Sequence, residues 1–197
     1  TDFIPAILPA FLATHPDVDV DLRERLSPDI VRAVCDGAAD IGIVAGEVRA
    51  EELEVIPYRD DRLVVVTSPD HELNDAGEID YVRTLKYDQV CLHEGSAIST
   101  FLAQVANESH RTLRTRIRVG NFEAACRIIE ANVAIGIVPE SSARRYEKSM
   151  RIRISRLTDP WSLRKMSICV KSLEQLPSFA RDLIDMMLDD LAMAADA

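Results

Sequence analysis

Four residues occur twice in this chain, Ile41-Gly42-Ile43-Val44 and Ile135-Gly136-Ile137-Val138, 94 positions apart. Each copy closes the same local pattern. Val31 to Asp36 reads as the end of an amphipathic helix, and Gly37 supplies the left-handed conformation that stops it. After Asp40 comes the apolar run, without polar alternation, as in a strand covered on both faces. From Arg127 the order repeats: helix end, Asn132 as a residue tolerant of the left-handed region, apolar run, and a break at Pro139. A helix–stop–strand element used twice predicts two similar α/β lobes.

A chain of 197 residues accommodates one large domain or two small lobes, and 47% hydrophobic residues are ample for real cores. No apolar run approaches a membrane span, and Thr1 opens into FIPAILPAFLATHP without a basic leader region. Cys35, Cys91, Cys126 and Cys169 stand singly in apolar settings, with no metal-ligand spacing. That reads as free buried thiols of a cytoplasmic protein, with neither metal nor cofactor expected. The net charge of −10 argues against gripping nucleic acid. The charge is uneven: residues 88–162 hold 11 basic and 8 acidic side chains, the flanks 12 and 25. A basic middle lobe between acidic flanks attracts anions; a merely uneven solvated surface is the plainer account.

Along the chain, residues 3–14 form a helix apolar nearly all round, which requires cover on two sides, one from its own lobe and one from a partner subunit. Val18 to Leu22 alternates like a strand, Ser27 caps the next helix with Pro28 at its first position, and Val55–Tyr58 and Leu63–Thr67 read as further strands. A second lobe is expected to begin near Asp88. Its strand Gln89–Leu92 leads through a turn to Ser96, which caps a helix to about Ser109. Arg114–Val119 is a one-sided strand, and Asn121 opens the helix before the second copy. Arg151–Leu157 and Met166–Val170 are strands. Pro177 starts a closing helix with Phe179, Leu183, Met186 and Met187 inward. Alternating strands and helices imply parallel sheets, with ligands beyond the strands' carboxyl ends: Ala45-Gly46, His93 to Ser96, Gly120 to Phe122, and Pro139 to Ser141.

Little here supports catalysis, since no nucleophile elbow, phosphate loop, dinucleotide fingerprint or zinc-helix motif occurs. His93 and Glu94 are turn neighbours whose side chains point apart. Glu47, Glu51, Glu52 and Glu54 form a solvated acidic loop, and Trp161 reads as packing. Ser96 and Asn121 have a structural reading as plain helix caps. Two helix N-termini converging on one cleft would also hold a carboxylate, with Thr100 one turn beyond Ser96 as an ordinary hydroxyl or a further contact.

The stretches FIPAILPAFLATHP to ADIGIVAG, LEVIPYRDDRLVVVTSPDHEL, CLHEGSAIST and VGNFEAACRIIEANVAIGIVPES, in that order, resemble the effector-binding domain of LysR-type transcriptional regulators. The likeness spans essentially the whole chain. It implies two Rossmann-like lobes of the type II periplasmic-binding-protein kind joined by two crossover strands, near 86–89 and 162–167. Residues 1–87 with 163–197 would form lobe I, and 88–162 lobe II. A small-molecule effector, a carboxylate or other small anion, would bind between the lobes and alter promoter contacts by the full regulator. By resemblance Thr1, Asp2, Ser96, Thr100, Asn121, Phe122 and Pro139 would face it. The family pairs as homodimers, with tetramers for full-length proteins. DNA is read through an amino-terminal winged helix-turn-helix that has no counterpart in these residues, and the usual first strand would precede Thr1. Family members that sense peroxide use cysteines close in sequence; Cys91 and Cys126 do not match that spacing. The alternative reading is a periplasmic-type solute-binding protein of a transport system, with an enzyme on the same fold a distant third.

Overall fold

The computed structural model describes residues 4–46, 50–73 and 77–195. They form two compact units, one of residues up to Asp60 together with Lys165 onward, the other Asp61–Arg164. The chain passes between them within two strands, β2 (Glu54–Thr67) and β8 (Leu163–Val170).

The first crossing is not where the resemblance puts it. It lies at residue 61, not near 88. Val55–Tyr58 and Leu63–Thr67 are one continuous strand, and its second half belongs wholly to the second unit. Leu63, Val65, Leu73, Ile79, Tyr81 and Leu85 bury in the same core as Ile98, Leu102 and Ile137. Burial of six large side chains fixes residues 61–87 in that unit more strongly than their polar composition suggests.

In the first unit, helix α1 (Ile4–Thr14) buries Ile4, Ile7 and Phe11. Helix α2 (Ser27–Cys35) packs on strand β1 (Gly42–Ala45), which pairs antiparallel with β8, Gly42 opposite Cys169. The closing helix α7 (Ser178–Ala195) buries Ala180, Ile184 and Met187. Of the residues expected inward, Met187 is buried and Leu183 and Met186 pack half-buried on the same core, while Phe179 is exposed. Residues 18–22 form no strand. The alternation is present, but no described strand pairs with it, and Val20 and Leu22 remain exposed. Ser27 does not cap α2 through its side chain. Its hydroxyl instead accepts the Ala45 N–H at 3.1 Å and donates to the Ala45 carbonyl at 3.3 Å, tying the helix start to the end of β1.

In the second unit β2 pairs antiparallel with both β6 (Gly136–Pro139) and β7 (Arg153–Leu157). Short β3 (Glu78–Ile79) lies parallel to β7. The sheet around β2 is therefore mixed, not wholly parallel as expected. Strands β4 (Gln89–Leu92) and β5 (Thr115–Val119) are parallel, and Gln89 bridges Ile135 in the same sense. Helices α4 (Ala97–Glu108) and α5 (Phe122–Glu130) fall where the sequence reading puts them, and a short helix α3 (Tyr81–Thr84) precedes them. Helix α6 (Glu140–Glu147) was not expected, because Pro139 reads as a break; proline instead precedes the first helical turn, where its missing N–H costs nothing.

Candidate functional site

The parallel trio β5, β4 and the start of β6 gives the second unit one shared carboxyl end. The backbone fixes this: Val90 N–H donates to the Ile135 carbonyl at 2.8 Å, and Leu92 pairs with Val119. Three helices begin just past those strand ends: α4 after Ser96, α5 after Asn121 and α6 after Pro139. Three sets of first-turn N–H groups and dipole ends thus open at one edge.

The three starts differ in what already answers their positive ends. Asn121 accepts the Ala124 N–H at 2.9 Å, and Glu123 adds a carboxylate to the first turn of α5. Helix α6 has Glu140 in its first turn, held by Arg144. Helix α4 has neither a capping side chain nor an acidic residue in its first turn. Ser96 stands at its cap position but makes no capping bond. The residue is 2% exposed, and its Oγ is buried without a hydrogen-bond partner. A buried hydroxyl left unpaired costs about 1–3 kcal/mol, which a bound acceptor or donor would recover.

The other expected contacts separate around this point. Asn121 is exposed, and its side-chain oxygen is spent on the cap. Phe122 is half-buried and packs against both cores of the unit, and Pro139 is buried opposite Leu63. Thr100 lies on the exposed side of α4. There it lines an open hollow of about 670 Å³ with Glu94, Gln104, Asn107 and Arg118, whose lining does not include Ser96. Thr1 and Asp2 lie outside the described residues.

Arg118 was missed by the sequence reading, although its signal is there: Arg114, Arg116 and Arg118 alternate along one face of β5. Those charges are largely answered. Arg114 and Arg116 pair with Asp88 at 3.0 and 2.7 Å, and Arg118 lies 3.6 Å from Glu94. The Arg116 hydrogen bond, with Arg114 beside it, holds the Asp88 carboxyl below its ordinary range. By units, residues 61–164 carry 15 basic and 14 acidic side chains and the rest of the chain 8 and 19. The second unit is therefore close to neutral, and any preference for anions rests on helix N-termini more than on net charge. Among the described residues no cluster of His, Cys, Asp and Glu is arranged to hold a metal, and no helix is long and apolar enough to cross a membrane.

The family model of the LysR substrate binding domain matches residues 1–192. An uncharacterized HTH-type transcriptional regulator of Methanocaldococcus jannaschii is 25% identical over 159 residues, covering 79% of this chain and 53% of that protein. A probable RuBisCO transcriptional regulator of Nostoc sp. is 24% identical over 148 residues, 72% of this chain and 44% of its own. The chain thus spans about half the length of these curated relatives. Among solved structures, the regulatory domain of Synechocystis CcmR, in complex with 2-PG, superposes with a TM-score of 0.73 at 19% identity, over 95% of this chain and 90% of that one. The effector binding domain of QuiR, in complex with shikimate, gives 0.64 at 17% identity, over 94% and 88%. At such identities the likeness establishes the periplasmic-binding-protein-like fold, and the family rests on the domain match. By that match over almost its whole length, the chain belongs to the family of LysR substrate binding domains.

Proposed function

We propose that this chain is the effector-sensing part of a LysR-type transcriptional regulator, not an enzyme and not a transport protein, and that it binds a small organic anion at the start of α4. One observation carries the anion reading: among three helix N-termini at one sheet edge, only that of α4 lacks both a cap bond and a first-turn acid, and Ser96 Oγ beside it is buried and unpaired. A carboxylate there would accept from Ser96 and from first-turn N–H groups, with Asn121, Phe122 and Pro139 flanking it. The names of the relatives support a regulator over a transporter. DNA contact and control of transcription in the cytoplasm would belong to the full regulator. Calorimetric titration with a panel of small mono- and dicarboxylates tests the site. Saturable binding that Ser96→Ala weakens about ten- to a hundredfold supports it; undiminished binding by the variant removes Ser96 from the site.

The domain pairs with a second copy in this reading. Helix α1 leaves Leu12 38% exposed on an otherwise apolar turn, and Val20 and Leu22 alternate with Asp19 and Asp21 on an unpaired segment. On α5, Ala125 and Ile129 are buried in their own core, so only Ala124 and Ile128 remain for a partner, with the arginines of β5 alongside. Setting the acidic first unit against this near-neutral surface avoids acid-on-acid contact, which favours a head-to-tail pair. Sedimentation should give about twice 21.9 kDa at micromolar concentration; a clean monomer contradicts the pairing.

A further inference from the structure

Two of the four cysteines belong to one small cluster of the first unit. Helix α2 sits directly on Gly42: a Cβ there would lie 2.7 Å from Cys169 Sγ and 3.0 Å from a methyl of Val34. Cys169 Sγ therefore lies under α2, beside Ile30 and Val34, the latter preceding Cys35 at the helix end. Two residues beyond Cys169, Lys171 Nζ donates to the Cys35 carbonyl at 3.2 Å, holding the end of β8 against the end of the helix. Cys35 packs against the small cluster of Val34, Val44, Leu53 and Cys169. It is half-buried, while Cys169 is fully buried. Cys91 and Cys126 are both buried and lie in the other unit.

We propose that Cys35 and Cys169 form a reversible disulfide when the protein meets hydrogen peroxide, stapling α2 to β8. The solvent-reachable thiolate of Cys35 attacks one peroxide oxygen. An S–O bond forms, the O–O bond breaks and hydroxide leaves, giving a sulfenic acid. The Cys169 sulfur then attacks the Cys35 sulfur; the S–S bond forms, the S–O bond breaks, and the departing hydroxide takes the Cys169 proton as water. Two thiols are oxidised by two electrons, and one peroxide is reduced to two waters. Roles follow from environment. Burial pushes the Cys169 thiol up, and the nearby charge of Cys35 adds to it, so Cys169 is the resolving partner and not the first nucleophile. The staple joins two elements 134 positions apart, and β8 is one of the two strands that carry the chain between units.

The test is a thiol count and a non-reducing peptide map of the whole chain before and after peroxide. The expected result is a fall from four free thiols to two, a single Cys35–Cys169 cross-linked peptide, and recovery of all four with dithiothreitol. Cys169→Ser should instead accumulate a dimedone-reactive sulfenic acid at Cys35, and Cys35→Ser should leave Cys169 reduced. The wild-type map decides the matter if either variant folds poorly. Four thiols retained, a link between Cys35 residues of two chains, or equal dimedone labelling of Cys35 in wild type and Cys169→Ser each overturn the proposal.

Discussion

The two helix–stop–strand copies share an architectural reason and differ in their cover. In both, the stop is left-handed, at φ +70° for Gly37 and +55° for Asn132. In both, the strand's glycine is where the preceding helix lands: Ile30 and Val34 of α2 on Gly42, Ile129 of α5 on Gly136. In both, the strand pairs antiparallel with a strand that crosses between units, β1 with β8 and β6 with β2. Strand β6 is buried at every position, whereas β1 alternates between buried and half-buried. The repeated tetrapeptide encodes close helix-on-strand packing; full burial is added by neighbours without a counterpart at the first copy, β4 beside the strand and α6 against it.

The sharpest way to separate the copies is to fill their glycines. A methyl at Gly42 meets three side-chain atoms at 2.7 to 3.0 Å, two of them from β-branched residues with stiff first torsions. At Gly136 only the flexible tip of Ile129 comes closer than 3 Å. Gly42→Ala should therefore cost about 2–3 kcal/mol by overpacking, and Gly136→Ala about 1 kcal/mol. Urea melts measure both. Adding Cys169→Ala to Gly42→Ala should recover a good part of the loss, because it removes one of the three clashing atoms. Equal costs at the two glycines would mean that the repeat is coincidental in packing.

The helix starts of the second unit offer the next contrast. Asn121→Ala removes a formed cap bond and should cost about 1 kcal/mol of stability. Ser96→Ala removes a hydroxyl that makes no capping bond, so without ligand it should be neutral or slightly stabilising, despite Ser96 standing at a cap position. With a cognate anion the order reverses, Ser96→Ala losing about ten- to a hundredfold in affinity. Thermal melts with and without ligand distinguish the two. If Ser96→Ala is as destabilising as Asn121→Ala in the free protein, Ser96 is a cap after all.

Most elements were legible because their signals are local. Gly37, Asn132 and the apolar tetrapeptides state stop and strand outright, and Ser96 and Asn121 mark two helix starts. What was not legible depends on partners distant in sequence. Val18–Leu22 has a strand's alternation and no ladder to join. Residues 61–87 look like the end of one lobe but bury six side chains in the other. Of the candidate site, the shared edge of Ser96, Asn121 and Pro139 followed from placing ligands at strand ends. That Asn121 is occupied as a cap while Ser96 is not depends on side-chain geometry that spacing does not encode. Arg118 faces the α4 hollow only because β5 lies parallel beside β4.

The smallest expected difference between the units is their response to acid. In the second unit Asp88 is held below its ordinary 3.8 by hydrogen bonding to Arg116, distant in sequence. Glu130 is held below 4.5, first by the Arg151 N–H and then by Arg127. Both groups have folded values depressed relative to the unfolded chain. Their contribution is thus fully present above the unfolded values and is lost as pH falls through the folded ones. In the first unit Asp21 is also lowered, but by Arg23 two residues away, a pair that persists when the chain unfolds and so adds little. Both second-unit carboxylates are half-buried at the surface and screened by solvent, so the effect is modest. Hydrogen exchange followed from about pH 6 to about pH 3 should therefore show protection falling first in β4, β5 and α5, with β1 and α2 following. Asp88→Asn should flatten the response of β4 and β5 and leave that of β1 unchanged. A wild-type protein in which β1 loses protection first, or an Asp88→Asn variant with the wild-type profile, would show that these ion pairs do not set the acid limit of the second unit.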